Sequence, residues 1–546
     1  MPVTPTAESV RPAPDRSPPA QHPPSAREFR RRHRVPLLAT LTALPLYAVW
    51  WAFLATGGGD LAAQETWAHF VAHHGGSPYM LSWYGGAHVA NYSVLSPYLM
   101  AAFGVRTVTV VSGLTATWLT AALMVRAGIR RPLGPALLAA LMLWCNVHAG
   151  RSTFALGVAF ALAACLFLTG PRRPALVAAY TALATLASPV AGLFLAVVGA
   201  ALLAVRDRGR ALSLLVPPAA VVAATTLLFP FSGQQPMTFP RLLPPLLLGL
   251  AVTALAPRTW RVARGSGAVY AAVCVLVYLV PSPIGTNVER FAWLFAPPVL
   301  LAALMSTPGR ARRHRVVLIT AVVCSTAWIV PKSVLDLRQS APVPAWAADT
   351  HGVVHALDRL GADRTRVEAV PTVSQREAAL LSPHVDLARG WNQQLDMKRH
   401  RLFYDGTFSA SAYRAWLDHW AVGFVVLPSA EPWHYAEAEA ALVRDHRPGW
   451  LRPVWHDAHW RVYRVQDAVP LVSPPATVTR TTPAEMDIRM PRPGAVTVRI
   501  AYSPWLRSDG ACLARDGEFT RLTVSAPGAY RLGSRYWPSS TPDSCC

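Results

Sequence analysis

Apolar residues in this chain fall in long unbroken runs rather than in alternation. The runs cover residues 35–56, 107–125, 132–147, 152–170, 175–188, 190–205, 211–229, 240–256, 267–282, 290–306 and 315–331. About 20 apolar residues carry a helix across the hydrocarbon core of a bilayer. The runs sit at or a little below that length and predict about eleven transmembrane helices. The first is long for a signal peptide and lacks a small-x-small cleavage site, so it reads as an uncleaved span. Beyond about Asp336 the runs stop. Residues 349–467 alternate helical and strand patterns: helices near 350–360, 374–381 and 409–420 lead to strands at 366–370, 385–389 and 422–427, as in an α/β layer. Residues 470–536 show only short alternating segments between Pro and Gly turns, which predict a β-sandwich. The expected fold class is a mainly α membrane protein with about eleven transmembrane helices and a C-terminal extracytoplasmic α/β plus β-sandwich domain. Its expected divisions are a disordered cytoplasmic tail (1–34), a membrane domain (35–331) with a long first outer loop (57–106), an α/β domain (332–467) and a β-sandwich-like domain (468–546).

Charge orients these runs. The chain carries a net charge of +22, yet it is 52% hydrophobic and only 15% charged, too apolar for a soluble nucleic-acid binder of this length. Its base is almost all arginine, with Lys332 and Lys398 the only lysines. With the N-terminus inside, the inner segments hold twenty arginines: Arg27, Arg30, Arg31, Arg32 and Arg34, then the clusters at 126–131, 172–173, 206–210, 258–264 and 310–315. The outer segments between spans hold only Arg106, Arg151, Arg241 and Arg290. This positive-inside bias predicts a multi-pass protein of the cytoplasmic membrane, with a cytoplasmic N-terminus and an extracytoplasmic C-terminal domain. The expected partners are the lipid bilayer and a substrate at its surface; no nucleic acid is expected.

The first outer loop concentrates candidate chemistry. It opens Gly57-Gly-Gly-Asp60, continues through Glu65 and Trp67, and carries Trp83-Tyr84-Gly-Gly-Ala-His88-Val-Ala-Asn91. Leu61, Gln64, Trp67, Phe70 and Val71 recur near helical spacing, which predicts an amphipathic helix on the membrane surface with its aromatics at the interface. The aromatics and His88 suit sugar stacking or interfacial anchoring equally. In the C-terminal part, Arg389-Gly-Trp391-Asn-Gln-Gln-Leu-Asp396 pairs an aromatic with amides and charge, as carbohydrate recognition or as capping of strands. Cys145, Cys165, Cys274 and Cys324 fall in apolar runs as small apolar residues. Cys512, Cys545 and Cys546 lie outside, where Cys512 and one tail cysteine are a candidate disulfide.

A first span, an acidic residue just past its outer end, and a long loop with a surface helix together resemble the opening of the GT-C class of membrane glycosyltransferases. Residues 83–95 are also similar to a segment of actinobacterial membrane proteins of this build. The resemblance implies sugar transfer from a polyprenyl-phosphate donor to a hydroxyl of a glycan or protein acceptor outside the membrane. It implies a carboxylate base, in some members beside a divalent metal, and a cation on the leaving phosphate. By position, Asp60 is the candidate base and Glu65 a second one; Arg290 and Arg151 are candidates for the phosphate; Trp83, Tyr84, His88, Asn91, Arg389 and Trp391 are candidates for sugar or acceptor. The chain departs from the class in lacking an adjacent acidic pair after the first span: Asp60 and Glu65 are five residues apart. The rivals are a transporter or flippase, and an inactive relative serving as a scaffold in envelope assembly. Against transport stand the odd number of spans and the absence of a visible repeat between halves. The orientation is checked by a reporter active only outside the cytoplasm: fused after Asp336 it is expected to be active, and at Arg208 silent.

Overall fold

The computed structural model describes residues 26–307 and 311–536. Cys545 and Cys546 lie outside these, as does the N-terminal stretch 1–25. Cys512 is buried in the C-terminal sandwich.

Each apolar run coincides with a helix. The helices are α1 (Ala26–Val49, continued by a wider turn, Trp50–Leu54), α2 (Asp60–His74), α3 (Ser96–Phe103), α4 (Val105–Arg126), α5 (Leu133–His148), α6 (Ser152–Leu168), α7 (Pro174–Ala187), α8 (Pro189–Ala204), α9 (Arg208–Leu228), α10 (Phe239–Leu255), α11 (Arg261–Leu279), α12 (Glu289–Ser306) and α13 (Arg312–Ser340). Six of these, among the described residues, are long and apolar enough to cross a membrane, and α5, α6, α7, α8 and α10 are shorter apolar helices. The chain is thus built as a multi-pass membrane protein. Three expectations shift. Residues 26–34 are helical rather than tail, since Ala, Glu and Arg propagate a helix well. The last run continues to Ser340, because Lys332 and Asp336 lower its hydropathy without breaking its helix. The third concerns α2, below.

The C-terminal part forms two further layers. The first contains α14 (Ala345–Ala348), α15 (His351–Arg359), α16 (Arg376–Leu381), α17 (Gln393–Arg399), α18 (Ala410–His419) and α19 (Glu437–Ala441). They accompany a five-stranded sheet. The chain has first made a short hairpin, β1 (Tyr79–Met80) and β2 (Ala87–His88). The sheet itself holds β3 (Arg366–Ala369), β4 (Asp386–Leu387), β5 (Val422–Pro428), β6 (Leu451–His456) and β7 (Trp460–Val465) in the order β4-β3-β5-β7-β6. β3 is parallel to β4 and β5, while β7 is antiparallel to β5 and β6. The central β5, Val-Gly-Phe-Val-Val-Leu-Pro, is buried along its whole length, as a strand covered on both faces must be. The last layer holds β8 (Thr477–Thr481), β9 (Met486–Met490), β10 (Gly494–Ala501), β11 (Leu506–Ser508), β12 (Ala511–Asp516), β13 (Phe519–Val524) and β14 (Gly528–Ser534). Its sheets, β10-β13-β12 and β11-β14-β9-β8, share one core of Met486, Ile488, Val498, Leu522 and Leu532.

The helix α2 departs most from expectation. Trp67 and Phe70 are buried in one cluster with Val353, Leu357, Val367, Phe424 and Val462 of the α/β layer. The aromatics therefore face protein, not the lipid interface, and the helix lies between the membrane helices and the C-terminal layers. The same loop gives Tyr79 and Leu81 to the sandwich core. Ser77 and Ser534 hydroxyls meet at 2.6 Å, and Tyr79 donates to the Ala501 carbonyl at 2.7 Å.

Burial perturbs several carboxyls in these layers. It pushes Glu377 and Asp386 up to about 7, opposed by the Thr372 hydroxyl at Glu377 and by Arg366 at Asp386. A carboxyl raised in the folded state contributes stability at low pH that is lost as pH rises through about 4.5 to 7. Glutamine copies the protonated form, so Glu377→Gln is expected to gain on the wild type from pH 5 to pH 8, by up to about 3 kcal/mol. Thermal unfolding in detergent at both pH values checks this; a constant offset between the proteins would contradict it.

Candidate active site

A cavity of about 400 Å³ opens between the ends of the membrane helices and the α/β layer. Its floor is charged. Asp60 begins α2, Arg151 precedes α6, Arg241 and Arg290 lie in the first turns of α10 and α12, and Lys332 and Asp336 lie on the last turns of α13. Its roof comes from the α/β layer: Trp391, the amides of residues 392–394, and Trp433, His434 and Tyr435.

Arg151 sits between the two carboxylates of the floor, its Nε 3.4 Å from Asp60 and its Nη2 3.3 Å from Asp336. Glu289, buried behind the floor, pairs with Lys332 at 3.4 Å and reaches Arg241 at 4.0 Å. Trp293 lies against both Arg151 and Lys332, with Lys332 Nζ 4.3 Å from its ring centre. Arg290 makes no ion pair among the described residues. Its electrostatic neighbours are Tyr92, Asp60 and Arg151, and its guanidinium lies 5.2 Å from the Phe154 ring centre. Four cations thus face three carboxylates, and one positive charge is left over at Arg290.

The polypeptide around the floor is tightly constrained. Arg376 of α16 donates to the carbonyl of Thr56, to the Thr56 hydroxyl (2.8 Å), and to the carbonyls of Ser340 (2.6 Å) and Pro342 (3.1 Å). This ties the exit of the first membrane helix to the end of α13, four residues from Asp60 and from Asp336 respectively. A Cβ on Gly58 would stand 2.4 Å from the Ser340 carbonyl oxygen and 2.8 Å from the Arg376 guanidinium, so only glycine passes here. The wall opposite is held by Gln235, which donates to Thr286 Oγ1 at 2.9 Å and accepts from Asn287 at 2.9 Å and Gln394 at 3.2 Å.

Of the residues singled out in the sequence, Asp60, Arg151, Arg290 and Trp391 line this one cavity. Six do not. Glu65 lies round the helix from Asp60, toward Arg106 and Arg376, and burial pushes its carboxyl up. Trp83 is buried with its indole donating to the Ala378 carbonyl. Tyr84 accepts from the Asn392 amide at 2.8 Å; with Gly85 and Gly86 it forms a positive-φ turn (59°, 67° and 117°), clamped by Arg399 on the carbonyls of residues 84 and 86. His88 bonds Ser503 at 2.8 Å, and burial pushes its imidazole down to about 4, so it is neutral. Asn91 lines only a small neighbouring void. Arg389 is enclosed by Glu368 and Glu439 and lies 3.7 Å from the Phe403 ring centre, so it fixes the layer's interior. Arg241, Lys332, Asp336, Trp433 and Tyr435 were missed. A signal existed for two of them: Arg241 stands apart from the arginine clusters between runs, and Lys332 is a lone lysine at the end of an apolar run.

A divalent metal does not fit the floor as built. Asp60 and Asp336 are its only lining carboxylates, and a guanidinium already lies between them. Among the described residues no group of three His, Cys, Asp or Glu side chains is gathered for a metal.

A second cavity, about 240 Å³ and almost wholly apolar, lies among α6, α8, α10, α11 and α12. Arg290 lines the polar cavity and its neighbour Phe291 the apolar one.

Comparison with known proteins adds little. A family model described as a domain of unknown function (DUF8823) matches residues 473–512, in the sandwich. No curated protein matches. Among solved structures, the arabinofuranosyltransferase AftD from mycobacteria aligns at 15% identity and a TM-score of 0.43, over 80% of this chain and 42% of that one. The chain thus spans less than half the length of that protein.

Replacing Arg376 by alanine strips a donor fork from the carbonyls of Thr56, Ser340 and Pro342, of which that of Ser340 is buried and keeps only the Thr56 hydroxyl at 3.0 Å. Each unpaired group costs about 1–3 kcal/mol, so Arg376→Ala is expected to lower the unfolding midpoint in detergent by several degrees, with partial recovery in Arg376→Lys. An unchanged midpoint would show that the clamp contributes nothing.

Proposed function

We propose that the chain is a GT-C-like membrane glycosyltransferase that passes a sugar from a polyprenyl-phosphate donor to an acceptor hydroxyl at the outer face of the membrane. The observation that carries this reading is the meeting of Asp60 and Arg290 in one cavity, next to an apolar chamber within the helix bundle. A lipid-linked sugar has the same two parts: a chain that suits the apolar chamber and an anionic head that suits the floor. Membrane helices hold few ionisable side chains unless they serve a site, and here they gather at one. The surplus positive charge of the floor matches the single negative charge of a sugar-phosphate diester.

In the reaction the acceptor oxygen attacks the anomeric carbon while the bond from that carbon to the phosphate oxygen breaks. The bonding pair leaves with the phosphate, and Asp60 accepts the acceptor proton as general base. Arg290 faces the phosphate, holding the charge that it carries before the reaction and the further charge that the departing oxygen gains as the bond breaks. Arg151 holds Asp60 in place from the side away from the acceptor.

Asp60→Asn keeps the shape and removes the base, so turnover is expected to fall about 10²–10⁴-fold with membrane insertion intact. Arg290→Ala is expected to raise KM for the lipid donor and to lower turnover as well, by less than Asp60→Asn does. Both are measured with membranes from a strain lacking the native gene. Wild-type product from Asp60→Asn would remove the catalytic assignment, and altered lipid flux without sugar product would favour a transporter.

A further inference from the structure

We propose that the acceptor is a carbohydrate chain of at least two rings, seated on the aromatic corner of Trp391, Trp433 and Tyr435 in the roof of the cavity. The inference rests on the glycosyl-transfer reading and adds the chemical class of the acceptor. The two walls of the cavity differ in kind. The floor is ionic, whereas the roof presents no carboxylate, lysine or arginine, and burial holds the imidazole of His434 below its usual range. A roof of this kind offers no full charge to a phosphate or a charged peptide.

It is well made for sugar rings. The Trp391 and Trp433 rings stand 5.4 Å apart at 88°, and Tyr435 meets Trp433 at 5.0 Å and 77°. Two indole faces at right angles form a corner on which the C–H faces of successive rings stack. Around the corner are unused hydrogen-bonding groups. Among the described residues neither indole N–H nor the Gln393 amide has a partner, and amides both donate to and accept from hydroxyls. The floor side offers one more: Gln64 is 2% exposed, its Oε1 is without a partner, and it lines the same cavity. Gln64 follows Asp60 by four residues, on the same face of α2. A hydroxyl donating to Gln64 therefore lies one helical turn from the base, under a chain held at the roof.

The test uses the full chain in lipid nanodiscs without donor. Tryptophan fluorescence is titrated with neutral pentose and hexose mono- to tetrasaccharides, and separately with Ser/Thr-containing peptides. At least one oligosaccharide is expected to bind saturably, about tenfold tighter than its monosaccharide. Trp391→Ala and Trp433→Ala are each expected to weaken it by about 3- to 10-fold, whereas Arg531→Ala, on the exposed edge of the sandwich, leaves it unchanged. Trp391→Phe and Gln393→Ala serve if an alanine variant fails to fold. No saturable oligosaccharide binding, binding that survives both tryptophan changes, or preferential peptide binding overturns the proposal. Oligosaccharide binding without sugar transfer from any lipid donor would leave this site standing and remove the transfer reading beneath it.

Discussion

The grip of Arg376 on the carbonyls of Thr56, Ser340 and Pro342 is the constraint on which the cavity depends. Helix ends leave carbonyls without partners, and here one guanidinium from the C-terminal part serves the exits of the first and last membrane helices together. The two exits are held side by side, so Asp60 and Asp336 fall at the spacing that Arg151 spans. Glycine at 58 is the other half of this arrangement, since any side chain there would drive the two exits apart.

Charge in the cavity is organised in shared pairs. The buried carboxylate of Glu289 serves Lys332 and Arg241, Arg151 serves the two carboxylates of the floor, and Arg290 is left with its charge uncommitted. Removing one member of such a set strands its partner, which is a larger loss than the pair itself contributes. Arg389 follows the same rule deeper in the α/β layer, where Glu368 and Glu439 enclose it away from any cavity.

Much of this was legible in the sequence because bilayers impose a simple code. Every apolar run met a helix, and the patterns at 350–427 and 470–536 met the α/β layer and the sandwich. The arginine distribution carried a further signal: of the four arginines that stand apart from the dense clusters between runs, Arg151, Arg241 and Arg290 converge on one cavity. What failed was the assignment of aromatics and buried ions. A stripe of Trp67 and Phe70 is the same whether it faces lipid or a protein layer supplied three hundred residues later. Trp83, Tyr84, His88 and Arg389 have the chemistry of sugar binding, but the same chemistry fills a core when every polar atom finds an internal partner. Trp391 is only partly buried, at the edge of that core, next to Gly390, which lies close on the Trp83 ring.

The insertion of the loop at 57–106 into both C-terminal layers also governs how the protein is made. Ser77 meets Ser534 across 457 residues of chain, so the contacts that close the sandwich wait for residues made long after the loop. Contacts this remote in sequence form slowly. Throughout that interval Trp67 has only Trp83 and Tyr92 of its own loop against it, and the C-terminal half of the cluster is missing. A C-terminal segment released alone would carry two hollow cores, so its natural fate is aggregation rather than independent folding.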